Sequence, residues 1–388
     1  MSRLLVIAVG LSWSILSPAA FEGEVGLASM RGHPHEANDR GRLRLNGKLK
    51  HPLPFSVEAT ESTLILDGGF RYQTPDNDKS RTKGLRGELE EASLGIAGDR
   101  FVTKLGWQVL RWGEMLGPSL LDVASPRDLE DPVQFVKSDK KLASPMALVT
   151  IIGGDLGRLE LFYTPQDARP KTTRRLGPYV IHREDAETLP SYGGRWLHAL
   201  LGFSFNLFVL DHPARIPSFV PDLSAAEPSL EARYPAMRSG GGGAAYAFDQ
   251  VVLRSEVLHT QAKVRGVGPG DQQRAVALAA DFSHESTLIG LQSHHLRALG
   301  RGEDQADEET WAGVYGSHAI EALALSFSAM SYRRLGAQDS LERVQVQYDL
   351  SDATSFSLSG ELFRGDKDPI MTLLDQEDLV VGELRVKF

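Results

Sequence analysis

Histidines are the residues here best suited to hold a metal or move a proton, and their spacing argues against both uses. His33 and His35 flank Pro34, while His294 and His295 are adjacent. In an extended chain neighbouring side chains leave on opposite faces, so His294 and His295 cannot share one ion. The same alternation separates Asp211 from His212, and no nucleophile with a positioned base emerges, so an enzyme is not expected. The Gly240–Gly243 run lacks the Lys-Ser/Thr of a phosphate loop and reads as close strand packing. With 0 cysteines, disulfides and thiolate metal sites are excluded. No metal and no cofactor is implied, and a net charge of -9 gives no basic footprint for nucleic acid.

What remains is charge in alternation with apolar residues. Arg42 and Arg44 interleave with Leu43 and Leu45; Arg254 and Glu256 with Leu253 and Val257; Arg343 with Val344; Glu383 and Arg385 with Leu384 and Val386; Lys104 precedes Leu105. Such residues suit the wall of a wet lumen, either as a salt-bridged lattice or as rings that select ions. A second cluster, Trp112, Glu114, Asp122, Pro126, Arg127 and Asp128, has no strand pattern and sits in a long polar stretch. It either folds a loop by Asp-Pro turn chemistry or touches a solute.

The elements that carry these residues are strands. Val344, Val346, Tyr348 and Leu350 share one face of 343–350, and Phe356, Leu358 and Leu362 one face of 355–362. Helical periodicity is scarce. Between Leu85 and Ile96 the alternation slips across Glu90-Glu91, which predicts a β-bulge. Connections alternate between short turns, at 98–100, 153–157, 248–250, 284–286 and 351–354, and long Pro-rich loops, at 114–145, 165–190, 211–235, 265–272, 301–309 and 365–376. Short turns on one side and long loops on the other are the layout of an outer-membrane barrel, and about eighteen strands are expected, with sixteen as the alternative. A basic start at Arg3, an apolar run from Leu4 to Leu16 and small residues near Ala19 predict an export signal over 1–19 and a barrel over 20–388.

The last strand ends at Phe388, and a terminal aromatic there resembles the assembly signal of bacterial outer-membrane barrels. The segment from Leu85 to Leu129, with Lys104-Leu-Gly-Trp-Gln-Val-Leu-Arg-Trp-Gly-Glu114 and Leu121-Asp-Val-Ala-Ser-Pro-Arg-Asp128, resembles the W-G-E and D-x-x-x-P-R-D signature of proteobacterial porin-like barrels of the alginate-export-like and substrate-specific group. Ser93, Trp107 and Ser125 depart from that pattern. The resemblance implies an all-β transmembrane barrel in the outer membrane of a Gram-negative bacterium, with lipid and the barrel-assembly machinery as partners.

By position, 113–145 is the third outer loop, which by analogy with trimeric porins is expected to fold inward and narrow a pore. Leu120, Leu121, Val123 and Leu129 would need cover there, and Arg42, Arg44 and Lys104 are expected to pair with Asp122, Asp128 and Glu114. The function expected is passive passage of a small or oligomeric hydrophilic solute through a monomer or homotrimer. Rival readings are a structural sheath around a periplasmic partner such as an electron carrier, and a secreted β-rich binding protein.

Overall fold

The computed structural model describes residues 20–31, 39–53, 61–73, 84–126, 128–129, 141–167, short stretches between 171 and 183, 189–215, 218–222, 229–263, 272–299, 306–365 and 379–387. The expected export signal, His33, His35, Arg127 and Phe388 lie outside them, as do the side chains of Arg42, Arg44, Asp128 and Leu129. Among the described residues one sheet has 18 strands. They are β1 (Ala20–Arg31), β2 (Asp39–Leu53), β3 (Glu61–Gln73), β4 (Gly84–Ala97), β5 (Phe101–Gln108), β6 (Ser144–Ile152), β7 (Arg158–Thr164), β8 (Ser191–Leu200) and β9 (Phe203–Pro213). There follow β10 (Ala236–Phe248), β11 (Val251–Ala262), β12 (Gln272–His284), β13 (Thr287–Leu299), β14 (Ala306–Ile320), β15 (Leu325–Arg334), β16 (Ser340–Ser351), β17 (Thr354–Arg364) and β18 (Leu379–Lys387). Each strand pairs antiparallel with the next in chain order. β1 also pairs antiparallel with β18, Glu24 opposite Lys387 and Arg31 opposite Val380.

Burial along the strands is the inverse of a soluble sheet. In β11, Leu253 and Val257 are 45% and 51% exposed while Glu256 is 2% exposed. In β9, Leu207 and Val209 are exposed while Asn206 and Leu210 are fully buried. One face therefore carries an uncovered apolar belt, and the other collects the polar side chains and the packed loop. Aromatics cluster at the short-turn end of the apolar face, where Phe203 stacks on Tyr246 at 4.2 Å and Tyr246 on Phe248 at 5.9 Å. Such rings suit the level where hydrocarbon gives way to headgroups.

Local chemistry explains the turns and the one expected irregularity. In the ladder between β3 and β4, Gly68 faces Leu89 and Asp67 faces Glu91, which leaves Glu90 as the extra residue of a bulge. Leu201, Asp249 and Glu285 have φ of 52, 49 and 50, the left-handed backbone that two-residue hairpin loops demand. The loops on the opposite side build structure of their own. Residues Arg175–Leu176, Tyr179–Arg183, Ser229–Arg233 and Ser218–Asp222 form a 4-stranded sheet, and Asp128–Leu129 pairs in parallel with Lys171–Thr172.

Candidate constriction segment

Between β5 and β6 the chain leaves the sheet and packs against its polar face, and the contacts of residues 109–126 can be followed strand by strand. Trp112, 1% exposed, is the anchor. Its ring meets Phe162 of β7 edge-on at 5.5 Å and Phe208 of β9 at 5.4 Å. Arg195 of β8 lies 5.6 Å above the ring, donates to the Trp112 carbonyl at 3.2 Å and holds Glu160 of β7 through Nε and Nη2 at 3.1 and 3.0 Å. The Arg195–Glu160 pair thus gives the sheet wall a satisfied buried charge and a flat cation on which the indole rests.

Beyond Trp112 one carboxylate organises the backbone. Glu256 of β11 accepts from the amides of Glu114 (3.3 Å), Leu120 (2.7 Å) and Leu121 (3.4 Å), and from the Ser119 hydroxyl at 2.8 and 2.9 Å. A buried carboxylate survives only when its lone pairs are filled, and here the turn of the segment fills them. Leu121 then lies on the tetraglycine strand: a Cβ on Gly243 of β10 would stand 3.1 Å from its Cδ1. The inward glycines therefore make room for the segment as well as for close strand packing. Further on, Met115 and Leu120 pack on Ala277 and Ala279 of β12, and Gln292 of β13 donates to the Pro118 carbonyl. A Cβ on Gly117 would collide with the Gln292 amide, so the tip reaches the wall backbone-first.

Two further clamps hold the base of the segment. Lys141, its side chain fully buried, pairs with Asp122 at 2.6 Å and donates to the Asp122 carbonyl at 2.9 Å. Asp122 also accepts from the Trp112 amide at 3.3 Å, and Ser125 from the Leu110 amide at 2.8 Å. Arg215, just beyond β9, donates to the carbonyls of Val123 (2.8 Å) and Ala124 (2.5 Å) and pairs with Asp167 at 2.6 Å. Asp167 in turn accepts from Ser144 and Ser191 at the heads of β6 and β8. Burial pulls the Arg215 guanidinium down from its ordinary pKa, and the Asp167 carboxylate opposes that shift.

These positions revise several expectations. Trp112 is buried between the segment and the wall, so it touches no solute, whereas Trp107 of β5 is exposed on the apolar face. Asp122 pairs with Lys141 from its own loop, and Lys104 is engaged with Glu91 at 3.4 Å. Glu256 is consumed by backbone amides and is not a free wall charge. Pro126 is buried and its carbonyl accepts from the Leu142 amide. The other wall charges whose side chains are described are paired: Arg254 with Asp281, Arg343 with Glu361 at 3.4 Å, and Arg385 with Glu383 at 3.2 Å. Leu121 and Val123 belong to one apolar cluster and Leu120 to another. Sequence reasoning overlooked Glu160, Lys141, Asp167, Arg195, Arg215 and Gln292. Alternation marks only the faces of Glu160, Arg195 and Gln292; Lys141, Asp167 and Arg215 lie outside the strands, and the contacts that matter join residues far apart in sequence.

The whole chain can be laid on known barrels. OccK5 (OpdH) of Pseudomonas aeruginosa superposes with a TM-score of 0.61 at 9% identity, covering 95% of this chain and 96% of that one. The fold is that of an outer-membrane porin. OccAB3 of Acinetobacter baumannii matches this porin fold with a TM-score of 0.59 at 10% identity, over 95% of this chain and 98% of its own. OpdK of Pseudomonas aeruginosa, solved with vanillate, gives 0.58 at 9% identity, over 95% and 98%. By sequence, no family model and no curated protein matches the chain. A porin fold supplies walls and a bore, and among the described residues no cluster of His, Asp and Glu is arranged to hold a metal.

Proposed function

We propose that the sheet closes into an eighteen-stranded barrel across the outer membrane of a Gram-negative bacterium and passes small hydrophilic solutes, with residues 109–126 inside the lumen setting its bore. The observation that carries this reading is the attachment of the segment to the polar face from β7 round to β13, centred on Glu256. Such a strap has no use on a solid core. On a lumen wall it narrows the passage and fixes what lines it.

The backbone register supports an anionic solute. Arg86 is paired opposite Arg71, Arg71 opposite Arg44, Arg44 opposite Gly26, and Gly26 opposite Arg385. In a closed ring of eighteen, β2 with Arg44 stands across the lumen from β11 with Glu256. Solute would pass between a row of arginine positions and the strap. Vanillate, found with OpdK, is a carboxylate of the kind such a row would attract. The resemblance to substrate-specific porins belongs to the same reading.

Planar-bilayer recording tests it. The purified protein is expected to conduct, to prefer chloride over potassium in a salt gradient, and to lose that preference in Arg44→Ala/Arg71→Ala. A folded protein that inserts but carries no current would overturn the channel and favour the sheath around a partner.

A further inference from the structure

The apolar face ends, on the long-loop side, in two arginines and a histidine. His259 of β11 is paired opposite Arg274 of β12, and Arg274 opposite Arg297 of β13. All three are exposed and lie on the outer face, two positions beyond Val257, Val276 and His295 respectively. Along β12 the outer face reads Phe282, Ala280, Leu278, Val276, then Arg274, a run of about 20 Å of apolar height before the first charge. That is close to the thickness of a barrel's lipid belt. The change from apolar to cationic therefore falls at the headgroup level of the leaflet on the long-loop side.

Like charges directly opposite in a ladder repel, so two paired arginines beside a histidine favour an anion between them. The described residues supply little. Arg297 has Glu308 at 3.4 Å, both about half exposed, while none of the described residues pairs with Arg274. At one flank Arg238 of β10 and Lys263 share a single carboxylate, Asp211, at 2.9 and 3.4 Å. Among the described residues, four permanent cations thus face two carboxylates, Asp211 and Glu308.

We propose that the outer surface of β10–β13 binds a glycolipid bearing more than one phosphate, its acyl chains on the apolar belt and its phosphates on His259, Arg274 and Arg297. The inference rests on the membrane-barrel reading above. Neighbouring strands are about 5 Å apart, so the three paired side chains span about 10 Å, room for more than one phosphate. Arginine offers a rigid fork to each. Continuity of belt and cations along the same strands argues for an amphiphile over a soluble anion.

The test uses the full mature chain in a zwitterionic detergent, with native mass spectrometry of the bound lipid. The probes are a bis-phosphorylated acyl glycolipid, the same lipid with its phosphates removed, and phosphatidylglycerol. Binding of the first is expected to exceed the other two by at least tenfold. It should fall at least tenfold in Arg274→Gln/Arg297→Gln, whose single-channel conductance stays unchanged. Equal occupancy by the phosphate-free lipid or by phosphatidylglycerol, or undiminished binding by the double variant, would overturn the lipid site while conduction still upheld the barrel. A chain that is monodisperse and folded without any detergent would overturn both.

Discussion

At the scale of single residues, Glu256 decides whether the strap stays on the wall. Replacing it with alanine leaves three amides and a hydroxyl without their acceptor, at a cost on the order of 3 kcal/mol. Glu256→Ala should therefore lower the thermal midpoint and raise single-channel conductance, and unchanged conductance in a folded variant would remove the strap from control of the bore. Asp122→Asn tests the second clamp. It leaves the buried Lys141 ammonium without its carboxylate, so looser segment packing, seen as faster proteolysis near 109–126, is expected with assembly intact. Neither role was legible beforehand. The face of Glu256 follows from alternation with Leu253 and Val257, but its partners are 135 to 142 residues away in sequence. Lys141 was overlooked because the pairing argument reached for wall cations, and the loop brings its own.

At the scale of elements, strand alternation was readable because lipid and lumen impose opposite chemistry on adjacent residues. The bulge at Glu90 was readable for the same reason, since a bulge is where the alternation slips. The hairpin at Leu201–Gly202 and the turn at Glu321–Ala324 were not, because neither carries the Asn-Gly or Asp-Gly chemistry that marks tight turns. The small sheet among the loops was equally hidden: its strands are short, and Val180 to Arg183 pairs in parallel with Ser229 to Ala232, far along the chain. Faces can be tested directly. Leu358→Arg on the outer face should cost about 2 to 4 kcal/mol, while Ser357→Arg should cost far less in the same unfolding titration. Gly243→Val makes a separate prediction. Its side chain would occupy the space of the Leu121 methyl, so it should mimic Glu256→Ala in conductance without touching a charge.

At the scale of the whole molecule, the order of strands follows the chain so closely that every neighbour is a hairpin partner except one. That exception joins Glu24–Arg31 to Val380–Lys387. Bringing residues this far apart together costs about 3 kcal/mol more loop-closure entropy than forming a hairpin of about ten residues. The hairpins should therefore form first and the seam last, so the two ends of the chain govern how fast the molecule becomes native. Refolding into micelles should show strand signal by circular dichroism well before the compact, heat-resistant form appears on gels. Gly382→Pro, which removes one donor from the last strand, should lengthen that lag while leaving the early phase alone. Until the seam shuts, both of its edges are unpaired strands able to capture another chain, so in a cell the interval before closure is when this protein most needs an escort.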